Sequence, residues 1–136
     1  MLLLVEDSDD DAFLFTWTFE KAGIDYSVHH VSNGMEAIEF LGKASQTGSL
    51  PRMVLLDLKM PVLNGFDVLT WLQKQSFAPQ VPVVMVSGSA QQEDKDKSRH
   101  LGARDYLIKP VTVPDLLRVL SFAEPNSTHA GKEASN

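Results

Sequence analysis

Five short apolar runs recur along this chain, at residues 2–5, 26–31, 53–56, 81–86 and 106–108. Most are near-continuous and rich in Val, Leu or Ile, as parallel strands covered on both faces tend to be. Stretches with helical spacing lie between and after them. The first spans residues 9–22 and ends at Gly23, a helix C-terminal signal. The second spans 35–43, after Ser32-Asn33-Gly34. The third starts near Asn64 and carries Phe66, Val68, Leu69 and Leu72 on one side, with one of Phe66 and Trp71 expected in the core and the other half-covered. The fourth, 90–101, is almost wholly polar and stops at Gly102. The fifth, 114–122, follows Thr112-Val113-Pro114-Asp115, a cap with a proline in the first turn. A strand and then a helix, five times over, implies a parallel sheet with helices on both faces. The leading architecture is a flavodoxin-like doubly wound (βα)5 sheet with strand order 2-1-3-4-5.

The 136-residue length suits one domain. A chain of this size buries enough surface to need no disulfide or metal staple. It contains no cysteine, which excludes a disulfide framework, a thiolate nucleophile and a Cys-ligated zinc site. A net charge of -6 argues against non-specific nucleic-acid binding, which needs basic surface. No apolar run approaches the ~20 residues that span a bilayer. The apolar start is too short for a signal peptide and lacks its basic flank. These features predict a soluble, cytoplasmic protein without membrane insertion. Residues 1–123 are assigned to the folded domain and 124–136 to a polar, disordered tail. The polar stretch 43–51 reads as a mobile connector.

In such a sheet, ligands sit outside the carboxyl ends of the strands, near the switch in strand order. Glu6 and Asp7 lie at that end of the first strand and Asp57 at that end of the third. Crowded carboxylates need a cation, and hard oxygen ligands suit Mg²⁺. With the metal neutralising charge, Asp57 could act as nucleophile toward a phosphoryl donor. Ser87 and Lys109 end the fourth and fifth strands and offer a hydroxyl and an ammonium to phosphoryl oxygens. Asp9, Asp10 and Asp11 read instead as first-turn acids that favour the positive end of the first helix. His29 and His30 are adjacent in a strand and so unsuited to binding one metal together.

Four segments now combine: Val5-Glu6-Asp7-Ser8-Asp9-Asp10, Leu56-Asp57-Leu58-Lys59-Met60-Pro61 with Gly65, Val86-Ser87-Gly88, and Tyr106-Leu107-Ile108-Lys109-Pro110. Their order and spacing resemble the CheY-like receiver domain of two-component response regulators, over about residues 2–122. The stretch before the third strand is also similar to the single-domain branch that includes phytochrome-partner regulators. The resemblance implies that Asp57 accepts a phosphoryl group from a sensor histidine kinase or histidine phosphotransfer protein. It implies Mg²⁺ (or Mn²⁺) held directly by Asp7, Asp57 and the Lys59 backbone carbonyl, and by Glu6 through water. Ser87 would be the switch hydroxyl, Tyr106 the coupled aromatic, and Lys109 the partner of the phosphoryl oxygens. The Lys109–Pro110 bond would be cis, and Gly65 would give the turn after Pro61 its backbone freedom.

The family pattern more often has threonine where this chain has Ser87, and aspartate where it has Glu6. Lys59 stands where side chains influence dephosphorylation and is expected to alter the phosphoryl lifetime. Such a domain is a switch toward a downstream protein target. It is not an enzyme for an external substrate, although it would catalyse its own phosphorylation and hydrolysis. The oligomeric state, including a homodimer, stays open. The alternative is a phosphorylation-independent docking module, but such modules typically lose the acceptor, a metal-binding acid or the lysine. A cofactor-binding flavodoxin-like protein would want a Gly-rich or hydroxyl-rich phosphate loop, where this chain has Glu6-Asp7-Ser8-Asp9-Asp10-Asp11.

Two helices depart from the expected pattern. The fourth has no apolar residue between Gln91 and His100, so it is either loosely docked or a normal helix with a solvated face. In the first, Leu14, Phe15, Thr18, Phe19 and Ala22 share one face. Phe13 and Trp17 project from roughly the other side. That aromatic pair is a candidate docking patch for a kinase, a phosphotransfer protein or a second subunit, unless other elements cover it.

Overall fold

A computed structural model of the protein describes residues 1–124; the expected tail from residue 125 onward lies outside the described residues. Five strands, β1 (Leu2–Val5), β2 (Val28–Val31), β3 (Val54–Asp57), β4 (Val83–Ser87) and β5 (Asp105–Ile108), form one sheet in the order β2-β1-β3-β4-β5. Every pairing is parallel. The helices are α1 (Asp9–Lys21), α2 (Gly34–Thr47), α3 (Gly65–Gln73), α4 (Gln92–His100) and α5 (Val113–Val119). Short 3-10 turns occupy Ala78–Gln80 and Leu120–Ala123. Among the described residues, no helix is long and apolar enough to cross a membrane.

The alternation of side chains along each strand divides the core into two layers. Leu3, Val5, Val54, Leu56, Val83 and Met85 point to one face, where Leu41 of α2 and Val68, Leu69 and Leu72 of α3 cover them. Leu2, Leu4, Leu55, Val84, Val86 and Leu107 point to the other, beneath Phe15 and Phe19 of α1 and Leu116 and Val119 of α5. Both faces of β1 and β3 are therefore buried, which is why these strands read as unbroken apolar runs. Each such side chain contributes roughly 1.5–3 kcal/mol on burial. β2 lies at the sheet edge, and its His29 and His30 are exposed.

The structure corrects several boundaries. β2 starts at Val28, β4 extends through Ser87, and α5 gives way to a 3-10 turn after Val119. Within the expected connector 43–51, residues 43–47 are helical because α2 continues to Thr47, which leaves 48–51 to connect it to β3. Ala44 still faces the core, and the helix stops where Gly48 adopts φ 70° and the N–H of Ser49 returns to the Ala44 carbonyl at 2.9 Å. The polar residues of that stretch cover a solvated face. In α1 the buried stripe is Ala12, Phe15 and Phe19, so Leu14 belongs to the exposed side instead of the core face. Phe66 and Trp71 are both half-covered: Lys97 Nζ sits 4.5 Å from the Phe66 ring, and Phe77 meets Trp71 edge-on. α4 is formed over Gln92–His100 and buries Ser98 alone.

Gly65 serves a different purpose from the one expected. Its φ is not positive; the left-handed residue of the turn is Val62, at φ 69°. That conformation costs a side-chain-bearing residue about 1–2 kcal/mol. Gly65 is needed for close approach: a Cβ there would lie 2.5 Å from the Asp57 carbonyl oxygen and 2.9 Å from Leu58 Cα. Its own N–H donates to the Leu58 carbonyl at 2.9 Å, pinning the start of α3 to the end of β3. Asn64 and Asp67 close a reciprocal capping box over the same turn. Gly65→Ala is expected to lower stability by about 1–3 kcal/mol, as overpacking against backbone does. Chemical denaturation of the two proteins measures the difference.

Candidate functional site

The strand order makes β1 and β3 neighbours, with Val5 opposite Leu56, so the residues that follow Val5 and Leu56 leave the sheet side by side. Glu6 and Asp57 are each 3% exposed, whereas Asp7 is open to solvent. One carboxylate oxygen from each of Glu6, Asp7 and Asp57 lies within 4.8 Å of the others. The N–H of Ser8 donates to Glu6 Oε2 at 3.1 Å. The Glu6 carbonyl accepts from His30 Nε2 at 2.8 Å, which fixes the backbone at this corner and gives His30 a structural task.

Lys109 follows β5 and its side chain reaches into this cluster. Its Nζ lies 2.7 Å from Glu6 Oε1, 2.9 Å from Asp11 Oδ2 and 3.4 Å from Asp57 Oδ1. Its N–H donates to the Ser87 carbonyl at 2.8 Å, and the Lys109–Pro110 bond is cis, as the resemblance implied. Burial pushes Asp57 up from 3.8 to about 7, and the negative Glu6 adds to the rise while Lys109 opposes it. For Lys109, burial alone would lower the pKa. The hydrogen bonds to Glu6 and Asp11 and the charges of Asp57 and Glu6 outweigh it, so the ammonium is held above its ordinary value.

Ser87 is fully buried, and its Oγ accepts the N–H of Ser89 at 3.1 Å. The Ser89 carbonyl accepts from the Tyr106 hydroxyl at 2.9 Å, and Ser89 Oγ donates to Asp94 Oδ2 at 2.6 Å. Ser89 thus links Ser87, Tyr106 and α4. The Lys59 side chain is exposed and lines a shallow recess of about 400 Å³ together with Met60 and Asp94. Phe13 and Trp17 stay outside the cluster and remain 69% and 51% exposed, Trp17 being partly covered. Lys21 Nζ lies 4.4 Å from the Trp17 ring centre. Two participants escaped sequence reasoning. Asp11 was read as a first-turn acid, and nothing in the order of residues marked its contact with Lys109. Ser89 carried no sequence signal that set it apart from a loop serine.

The donor set suits a hard divalent cation: three carboxylates at one point, two of them buried, with only one nearby ammonium among the described residues. The raised pKa of Asp57 comes first from its burial and then from the neighbouring negative Glu6, and both disfavour the charged carboxylate without further neutralisation. It also fixes a sign for pH dependence. Without divalent cation the folded protein holds a proton on Asp57 that the unfolded chain releases near 3.8. Its contribution to stability is therefore full below that value and is lost as pH rises toward about 7. Melting curves in chelator should show stability falling across this window, and Asp57→Asn should flatten that component.

Comparison with known proteins points to one family. The response regulator receiver domain family matches residues 2–121. Protein PilH of Pseudomonas aeruginosa is 35% identical over 120 residues, covering 88% of this chain and 93% of PilH. The structure of the bacteriophytochrome response regulator AtBRR is similar with a TM-score of 0.78 at 30% identity, covering 90% of each chain. The Mn²⁺-bound form of response regulator Rcp1 is similar with a TM-score of 0.71 at 30% identity, covering 88% of this chain and 87% of Rcp1.

Proposed function

The chain belongs to the response regulator receiver domain family, and on that premise we propose that Asp57 accepts a phosphoryl group in a divalent-cation-dependent reaction that switches the domain between two signalling states. The observation that carries this reading is the buried Asp57 at the end of β3, flanked by two further carboxylates and by Lys109. The phosphodonor is a phosphohistidine on a sensor kinase or phosphotransfer protein. An oxygen of Asp57 attacks phosphorus, the P–N bond breaks, and the imidazole leaves with the electron pair and takes up a proton. The product is an acyl phosphate on Asp57. Water later attacks the same phosphorus, releasing inorganic phosphate and restoring the carboxylate.

Asp7, Asp57, the Lys59 carbonyl and, through water, Glu6 would hold Mg²⁺ or Mn²⁺, which would supply neutralisation for the phosphoryl oxygens. Rcp1, which is similar to this chain, has been described in a Mn²⁺-bound form. Lys109 donates to a phosphoryl oxygen from the opposite side. Ser87 follows the phosphoryl group by rotating its hydroxyl. Through Ser89, which touches both Ser87 and the Tyr106 hydroxyl, that movement reaches β5 and α4. The readout is a protein contact in the cytoplasm, and the chain has no external substrate of its own.

Incubation with acetyl phosphate and Mg²⁺ should add one phosphoryl mass to the intact protein, and Asp57→Asn should abolish the increment. No increment with any phosphodonor would leave the phosphorylation-independent docking module as the better reading. Phe13 and Trp17 present an exposed aromatic pair on α1 and are assigned to the histidine-bearing partner. The Phe13→Ala, Trp17→Ala double variant should keep labelling by acetyl phosphate yet lose transfer from its cognate partner by roughly tenfold or more. Equal transfer, with an unchanged oligomeric state, would remove the docking assignment.

A further inference from the structure

Lys109 has three N–H donors and three carboxylate neighbours. Its two short contacts are to Glu6 and Asp11, and its longest, 3.4 Å, is to the acceptor Asp57. Asp11 is the outermost of the three, on the first turn of α1, and meets the ammonium at 2.9 Å in a hydrogen bond as well as an ion pair. Its backbone is tied to the same corner, because its N–H donates to the Ser8 side chain at 3.2 Å. The carboxylate is thus carried on a capped helical turn within hydrogen-bond reach of Lys109.

We infer that Asp11 is a positioning residue that competes with the phosphoryl group for Lys109. The inference rests on the reading of Asp57 as phosphoacceptor. A phosphoryl group on Asp57 needs one of the lysine's donors, and in the resting protein the two short contacts of that ammonium go to Glu6 and Asp11. Glu6 has a second use in the phosphorylated state, next to the cation. Asp11 has none, so it stays as the anion that holds the ammonium back. Its presence lowers the affinity of the site for a phosphoryl group, and its removal frees a donor. Asp9 and Asp10 carry the same charge on the same turn but make no contact with Lys109, which separates the specific contact from general repulsion.

The test uses beryllofluoride, a phosphoryl mimic that binds carboxylates, titrated calorimetrically into the full chain in Mg²⁺. Asp11→Asn should bind it about 1.5-fold to fivefold more tightly, the range expected for releasing one partly exposed ion pair. Asp10→Asn should match the wild type. Asp11→Glu, which returns a carboxylate within reach of Lys109, should bring the affinity back to the wild-type value. Melting curves check that each variant is folded, and Asp11→Ser replaces Asp11→Asn if the latter is not. Unchanged or weaker binding by Asp11→Asn would overturn the inference, as would an equal gain from Asp10→Asn. A wild-type protein that neither binds beryllofluoride nor is labelled by acetyl phosphate would instead defeat the phosphoacceptor reading itself.

Discussion

Burying carboxylates is unfavourable unless something opposite in charge meets them, and the corner where β1, β3 and β5 end is built around that constraint. Glu6 and Asp57 lie almost wholly out of water, and a lysine from a strand two places away from β3 in the sheet reaches both. This arrangement ties chain segments that are about one hundred residues apart in sequence, through Lys109 and Asp11. It also leaves the cluster unbalanced, since three carboxylates converge with Asp7 included and Asp11 claims part of the same ammonium. The corner thus carries more negative than positive side-chain charge, with Lys109 shared among Glu6, Asp11 and Asp57.

The rest of the fold holds this corner in register. Parallel pairing brings Val5 beside Leu56, Asp57 beside Val86 and Ser87 beside Ile108. A slip of one residue in any of these pairings would turn the apolar side chains to the wrong layer, so the packing of the sheet and the placement of the polar groups are fixed together. Close contact at Gly65 and the capping box on α3 then set how the segment after Asp57 leaves the sheet. Val62 absorbs the unfavourable backbone angle that this exit requires.

The strands and their order were legible because both faces of β1, β3 and β4 are apolar, so each left an uninterrupted run in the sequence. The acceptor corner was legible because acids and a lysine interrupt those runs at the ends where such sheets bind ligands. Other features depend on direction in space and left no trace in the order of residues. Leu14 and Phe15 are adjacent and equally apolar, and only the pose of α1 on the sheet decides which is covered. Residues 44–47 of α2 were mistaken for loop because polar side chains on a solvated helical face have the same composition as a connector. Asp11 was hidden for the opposite reason. First-turn acids are common at helix starts, and the contact that distinguishes it comes from Lys109, far along the chain.

α4 buries only Ser98, and its remaining side chains are charged or amide groups in partial or full contact with water. Substitutions at such positions change folding stability by little, within about 0.5 kcal/mol either way. The surface of this helix therefore contributes little to the core beneath it, beyond the contacts of Asp94 with Ser89 and of Lys97 with Phe66. Most of its charges can be exchanged without endangering the fold, Asp94 apart, because Ser89 Oγ donates to it and the Ser89 carbonyl accepts from Tyr106. Such an arrangement separates what a domain recognises from how it is triggered. New partners could be acquired by redrawing one exposed face, with the chemistry at Asp57 left untouched.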